Sequence, residues 1–252
     1  GDKSISHRAV MFASIAKGVS HIKGFLNGAD CISTINCFRQ MGIEIEQVND
    51  KVTVKGKGMY GLTKPDKELY CGNSGTTVRL LSGILSAQDF SSSLNGDESI
   101  QKRPMARVIE PLKIMGAKIT SFNNSSKTPL FIEPSCLHGI HYKSPVASAQ
   151  VKSAILLAGL YAKGETLVEE IYKSRNHTEL MLESFGAKVS SDALSAKVST
   201  TAELFANDII VPGDISSAAY FLVAALISPG SELLIKNVGI NPTRDGILEV
   251  LK

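Results

Sequence analysis

The chain has 252 residues, 43% of them hydrophobic and 20% charged, with a formal net charge of only +3. That length supports a substantial core in one large domain or two smaller ones, and the near balance of charge gives no nucleic-acid footprint. The longest apolar runs, such as residues 155–160, are too short to span a bilayer, and the opening Gly1-Asp2-Lys3-Ser4 does not read as a signal peptide.

In chain order, a Ser-rich opening at residues 3–8 runs into a helical stretch over 9–16. A strand is expected at 20–23. A second helix follows, opened by Asp30 and stopped at Met41-Gly42, and then an alternating strand at 43–46. The pattern returns with residues 73–79 opening a helix over 80–87. It continues with a strand at 91–94, a helix with Pro104 near its first position and a stop at Met115-Gly116, and a strand at 117–120. A third copy opens at 147–152 before a helix over 153–162. Its strand is 165–170, its second helix follows Asn176 and stops at Phe185-Gly186, and its last strand is 187–190. A fourth copy begins at Asp214, with a helix over 216–228 and a strand at 233–236.

Ser4, Ser74, Ser148 and Ser216 are spaced by 70, 74 and 68 residues, and the stop glycines Gly42, Gly116 and Gly186 by 74 and 70. Glycine after a last helical turn accepts the left-handed conformation that ends it. The unit reads as helix, strand, helix, strand, strand. Its period is too long for most solenoids. Three α+β units packed about a pseudo-threefold axis fit it.

The helix openings carry Ser, Thr, Gly and Asn rather than bulky apolar residues. A cation follows four residues on in three copies: Ser4 to Arg8, Gly75 to Arg79, Ser148 to Lys152. Tyr220 holds that place in the fourth. Ser and Thr at such positions are caps first. Their recurrence, together with Lys3, Arg8, Arg103 and Arg175, points instead to helix N-termini converging on a multiply charged anion such as a phosphate or carboxylate.

Other chemistries find little support. Residues 72–77 resemble a phosphate loop but lack its Gly-Lys-Ser/Thr, and no dinucleotide fingerprint is present. No spacing argues for a Ser-His-Asp arrangement. Cys31, Cys37, Cys71 and Cys136 form no C-x-x-C pair and read as reduced thiols of a cytoplasmic protein, and His138 and His141 lack companions for a metal site.

Five ordered motifs carry a family resemblance: residues 1–9 (Gly-Asp-Lys-Ser-Ile-Ser-His-Arg-Ala), residues 72–80 (Gly-Asn-Ser-Gly-Thr-Thr-Val-Arg-Leu), Gly96-Asp97 with Lys102-Arg103-Pro104-Met105, Ser148-Ala149-Gln150-Val151-Lys152, and residues 174–179 (Ser-Arg-Asn-His-Thr-Glu). The chain resembles the first half of the 5-enolpyruvylshikimate-3-phosphate (EPSP) synthases, with residues 211–218 similar to the return crossing between that family's two domains. The resemblance implies an α/β (α+β) fold, an inside-out α/β barrel-like domain of three repeated βαβαββ units. It implies a complete first domain over 1–212 that binds shikimate-3-phosphate, and an incomplete start of a second over 213–252, with an exposed apolar face.

The resemblance also implies roles. Lys3 lies between both substrates. Ser4 and Arg8 hold shikimate-3-phosphate, chiefly its carboxylate. Ser148, Ala149 and Gln150 grip its phosphate and ring, and Ser174 and Arg175 complete that pocket. Asn73 and Gly75 form the loop beside phosphoenolpyruvate, whose phosphate Arg103 binds and Gln150 reaches. No metal or organic cofactor is implied, and no nucleic-acid or membrane partner. The full-length enzyme would be a cytoplasmic monomer. Gly75 suggests room for the inhibitor glyphosate, whereas Leu80 and the motifs at 148–150 and 174–179 resemble the tolerant subgroup. The family's proton-transfer acids lie in a C-terminal part outside these residues, so binding without turnover is expected.

Three rival readings have discriminating features. The enolpyruvyl transferases acting on UDP-N-acetylglucosamine share the repeats, but typically open with Lys-Asn and carry a Cys near an Arg-Pro. The loop at Arg103-Pro104 has none. A non-catalytic anion-binding module would accept any polyanion. An RNA-binding or phosphate-end-processing protein would need a stronger basic face.

Overall fold

The small-residue openings turn out to be the first turns of the helices themselves. In the computed structural model, which describes residues 1–251, α1 (Lys3–Ile15) is followed by β1 (Lys17–Lys23), α2 (Ala29–Gln40), β2 (Glu44–Val48) and β3 (Lys51–Lys57). β4 (Leu69–Tyr70) introduces a second unit of α3 (Gly75–Leu85), β5 (Ser92–Asn95), the short α4 (Glu98–Lys102), α5 (Ala106–Ile114), β6 (Lys118–Ser121) and β7 (Leu130–Glu133). β8 (His141–Ser144) introduces a third, with α6 (Ala149–Gly159), β9 (Glu165–Glu170), α7 (His177–Ser184), β10 (Val189–Ser191) and β11 (Ser195–Ser199). A 3-10 turn (Phe122–Asn124) between β6 and β7, together with β12 (Ile209–Ile210), α8 (Ile215–Leu226) and α9 (Gly246–Val250), completes the described elements.

The repeat read from the sequence reappears as three four-stranded sheets with one common order: β12-β1-β3-β2, β4-β5-β7-β6 and β8-β9-β11-β10. In each, the leading strand is parallel to the second and the rest are antiparallel. β4 and β8 directly precede their units. In the first sheet that place is filled by β12, where Ile209 and Ile210 pair with Ile22 and Lys23.

The strands alternate between buried and open positions, as in β9 and β11, so each sheet lays one face on the core. Helices α1, α3 and α6 are buried along nearly their whole length. Helices apolar on most faces belong inside a fold. These three therefore occupy the interior, with sheets around them. At the α3–α6 crossing, a Cβ on Gly83 would stand 2.2 Å from the carbonyl oxygen of Ala154, so these helices touch backbone to side-chain-free backbone. Phe12 of α1 meets Phe185 edge-on, with centroids 6.1 Å apart, and ties α1 to the end of α7.

The helix stops behave as expected, with φ of 82°, 98° and 91° at Gly42, Gly116 and Gly186. Several boundaries differ. Asp30 lies inside the first turn of α2, whose cap is Gly28. Pro104 precedes α5, which begins at Ala106 after Met105, because the preceding residues form α4. Asn176 caps α7 by position, without a side-chain bond. Residues 233–236 form no strand. A strand needs a ladder partner, and the only bridge described nearby joins Gly213 to Val238. Helix α8 exposes Tyr220 and Phe221 at 80% and 63%, and its C-cap Ile227 at 75%, an apolar face with no cover among the described residues. No described helix is long and apolar enough to cross a membrane.

Candidate functional site

Besides the short α4, capped by Asp97, four helices begin with a capping side chain. Asp2 accepts from the Ile5 amide (2.9 Å), Ser74 from Thr77 (3.2 Å), Ser148 from Val151 (3.4 Å) and Asp214 from Ser216 (2.8 Å). The Ser74 and Ser148 caps each satisfy one amide and leave neighbouring first-turn amides available to an anion, whereas in α1 the Lys3 amide already donates to Asp214 Oδ2 (3.4 Å). By this criterion the structural equivalents are Asp2, Ser74, Ser148 and Asp214. Ser4 and Ser216 sit two residues further in.

One corner gathers α1, α6 and α7. Arg8, only 3% exposed, donates from Nε to Thr178 Oγ1 (2.7 Å), from Nη2 to Ser153 Oγ (2.7 Å) and from Nη1 to the Ser4 carbonyl (2.9 Å). The two other guanidinium N–H groups have no described acceptor. Arg175, just before α7, donates from Nη1 to Ser4 Oγ at 2.7 Å. Lys3, largely exposed, is ion-paired with Asp30 of α2. Ser148 and Ala149 stand at the start of α6 in the same corner, half-buried and buried respectively.

A second corner centres on α3. Gln150 accepts from Arg79 Nη1 (2.6 Å) and donates to Thr76 Oγ1 (2.9 Å), which joins the starts of α6 and α3. A Cβ on Gly75 would lie 2.7 Å from Arg79 Nη1 and 3.4 Å from Arg103 Nη1, so both guanidinium groups lie over this glycine. Arg103 itself donates to Ser99 Oγ at 3.1 Å. Asn73 is exposed at the mouth of the loop. Ser174 stands apart from both corners. It lines a polar cavity of about 190 Å³ with Lys152, Glu170 and Glu179, and its buried hydroxyl has no described partner.

In both corners guanidinium groups sit close enough to repel one another. Burial, and then repulsion from Arg175, pulls Arg8 down to about 10. Arg175 is lowered by burial and by Arg244. Arg79 is lowered by burial and by Arg107 and Arg103. Burial and Arg8 hold His177 down to about 4, so it is neutral near pH 7. Cations kept together against their mutual repulsion, and without a carboxylate contact on Arg8, Arg79 or Arg103, form a receptor for anions.

Sequence reasoning missed several participants. Arg107 joins the second cluster from α5. Thr178 and Ser153 orient Arg8. A buried chain runs from His7 Nδ1 to Thr34 Oγ1 (2.7 Å), to Thr77 Oγ1 (2.8 Å) and on to Ser74 Oγ (2.7 Å), linking α1, α2 and the cap of α3. Burial holds His7 near 3, so this ring is neutral. The available signal was polar residues on faces otherwise apolar.

Comparison with known proteins follows this geometry. The family model for EPSP synthase (3-phosphoshikimate 1-carboxyvinyltransferase) matches residues 1–252. The 3-phosphoshikimate 1-carboxyvinyltransferase of Brevibacillus brevis is 60% identical over the whole chain, and that of Bacillus subtilis 56%. The chain spans 59% of the length of each. The EPSP synthase structure from Acinetobacter baumannii superposes with a TM-score of 0.94 at 50% identity, covering 100% of this chain and 57% of that one.

Proposed function

The chain belongs to the EPSP synthase family, and on that premise we propose that these residues form the shikimate-3-phosphate-binding part of a 3-phosphoshikimate 1-carboxyvinyltransferase. In the reaction, the 5-hydroxyl oxygen of shikimate-3-phosphate adds to the enol double bond of phosphoenolpyruvate. C3 of phosphoenolpyruvate takes up a proton in this addition, and loss of phosphate from C2 with a proton from C3 then restores the double bond, in the shikimate pathway toward aromatic amino acids.

The observation that carries the reading is the pair of cationic corners joined through Gln150. Two anionic substrates that must react with each other need two adjacent anion sites. Arg8, Arg175, Ser4 and the start of α6 (Ser148, Ala149) suit the shikimate ester. Ser174, one residue before Arg175, is assigned to that set by the family resemblance alone, because its hydroxyl belongs with the polar cavity beside Lys152. Gly75, Asn73, Arg103 and, from the structure, Arg79 and Arg107 suit phosphoenolpyruvate. Lys3 and Gln150 contact both. Preorganised cations of this kind stabilise charge that develops in the transition state.

Residues 1–212 act as the first domain and 213–252 as the start of the second. The carboxylates nearest the site already have partners: Asp30 holds Lys3, Asp2 caps α1, and Glu170 and Glu179 hold Lys152. On this reading a polypeptide of these 252 residues binds shikimate-3-phosphate without turnover. In the whole enzyme, a cytoplasmic monomer, glyphosate competes for the phosphoenolpyruvate corner. Calorimetric titration of the purified chain with shikimate-3-phosphate, against inorganic phosphate, tests the reading. Saturable binding that prefers the ester is expected, and equal response to both anions would overturn it.

A further inference from the structure

Lys152 is the one repeat cation in direct contact with carboxylates. Arg8 and Arg79 keep theirs hydrogen-bonded to neutral groups. The Lys152 ammonium, on a side chain 5% exposed, lies 2.7 Å from Glu170 Oε2 and 2.7 Å from Glu179 Oε1, on side chains 3% and 4% exposed. Glu170 also accepts from the Ser174 amide at 3.4 Å. Three segments meet at this ammonium: α6 through Lys152, the end of β9 through Glu170, and the first turn of α7 through Glu179. Between Glu170 and Glu179 runs the loop that carries Ser174 and Arg175. One turn before Lys152 lies the start of α6, with Ser148, Ala149 and Gln150.

Burying a cation and two carboxylates is expensive, and an apolar trio of the same bulk would often be as stable. What the ionic trio adds is direction. Each N–H···O bond fixes a distance and an angle, whereas apolar contacts let segments slide. Glu170 Oε1, Glu179 Oε2 and the Ser174 hydroxyl, all without a protein partner, belong to residues that line the 190 Å³ polar cavity, whose walls suit water.

We propose that Lys152 is a positioning residue, which holds the 171–176 loop in register with the start of α6 so that Arg175 faces Ser148–Gln150 across one phosphate. This rests on the reading above that these residues hold the shikimate ester. It adds a residue that never touches the ligand.

The test compares the chain with a variant whose trio is apolar, Lys152→Met with Glu170→Leu and Glu179→Leu, by thermal midpoint, by amide hydrogen exchange of 171–176 and by titration with shikimate-3-phosphate. A midpoint near that of the parent, with faster exchange in this loop and affinity lower by at least about tenfold, supports positioning. Unchanged exchange and affinity overturn it, because then the trio only fills space. Should the parent chain fail to bind the ester, the substrate reading falls, and the exchange comparison still decides the positioning role. Should the apolar trio fail to fold, the single variants decide. Glu170→Gln and Glu179→Gln are each expected to speed exchange across 171–176, and exchange as slow as the parent's in both would overturn the proposal. Lys152→Arg, which keeps the charge, is expected to recover most of the affinity.

Discussion

Arg175 Nη1 donates a 2.7 Å hydrogen bond to Ser4 Oγ across 171 residues of chain. The bond holds a cation at the mouth of the first corner before any ligand arrives. Replacing Arg175 by Ala removes a charged donor and is expected to weaken shikimate-3-phosphate binding by about 1.5–3 kcal/mol. Ser4→Ala leaves the charge in place and is expected to cost less. Calorimetry on both variants checks the order, and an unchanged affinity for Arg175→Ala would remove it from the site.

A methyl group at position 75 would meet Arg79 Nη1 at 2.7 Å and Arg103 Nη1 at 3.4 Å. Both are ends of flexible side chains, so the fold absorbs the change while the anion corner narrows. Gly75→Ala is expected to keep the parent thermal midpoint and to weaken phosphoenolpyruvate binding by ~1 kcal/mol, the worth of one displaced hydrogen bond. Titration with phosphoenolpyruvate alongside a melting curve separates the two effects.

Gly83 has no such latitude, because its neighbour is the Ala154 backbone carbonyl at 2.2 Å. Gly83→Ala forces α3 and α6 apart and is expected to destabilise the chain by about 1–3 kcal/mol, the usual cost of overpacking. The denaturant midpoint reads this directly. A midpoint equal to the parent's would mean that the helix crossing is looser than described.

His7 and His177 titrate near 3 and 4 in the folded chain, held down chiefly by burial. Unfolded, both would titrate near the usual histidine value. Between those limits the unfolded state binds more protons, so stability is full above about pH 6.5 and falls as pH falls through the window. Each histidine contributes a slope of up to ~1.4 kcal/mol per pH unit there. Urea midpoints from pH 7 to 4.5 are expected to drop, and to drop less steeply in His7→Asn. Parallel curves for parent and variant would show that His7 does not stay neutral.

Much of the architecture was legible because it is locally encoded. The stop glycines, the amphipathic strands at 165–170 and 43–46, and the small helix openings each follow from backbone preference or alternation. β4, β8 and β12 were not legible. They have two to four residues each, and they are strands only because a parallel neighbour from elsewhere in the chain supplies a ladder. The segment 233–236 shows the converse, with an apolar pattern and no ladder.

At the site, the sequence suggested three equivalent cations at one offset, and the caps correct this. Arg8, Arg79 and Lys152 lie six, five and four residues past Asp2, Ser74 and Ser148. On a helix of about 3.6 residues per turn, those positions face different ways. Lys152 accordingly turns toward Glu170 and Glu179 rather than toward the cluster around Gly75. Such a difference depends on where each helix begins, which composition alone does not set.

The leading strand of the first sheet arrives last. Ile209 and Ile210 must find Ile22 and Lys23, so that sheet is finished only after the two later units have been made and have brought β12 back to β1. A pairing this remote in sequence carries a high loop-closure cost and favours slow, late assembly. During synthesis, β1 would leave the ribosome early and wait with one edge open. β3 covers only the other edge of β1, so until β12 arrives the open edge is the place where a neighbouring molecule can add a strand.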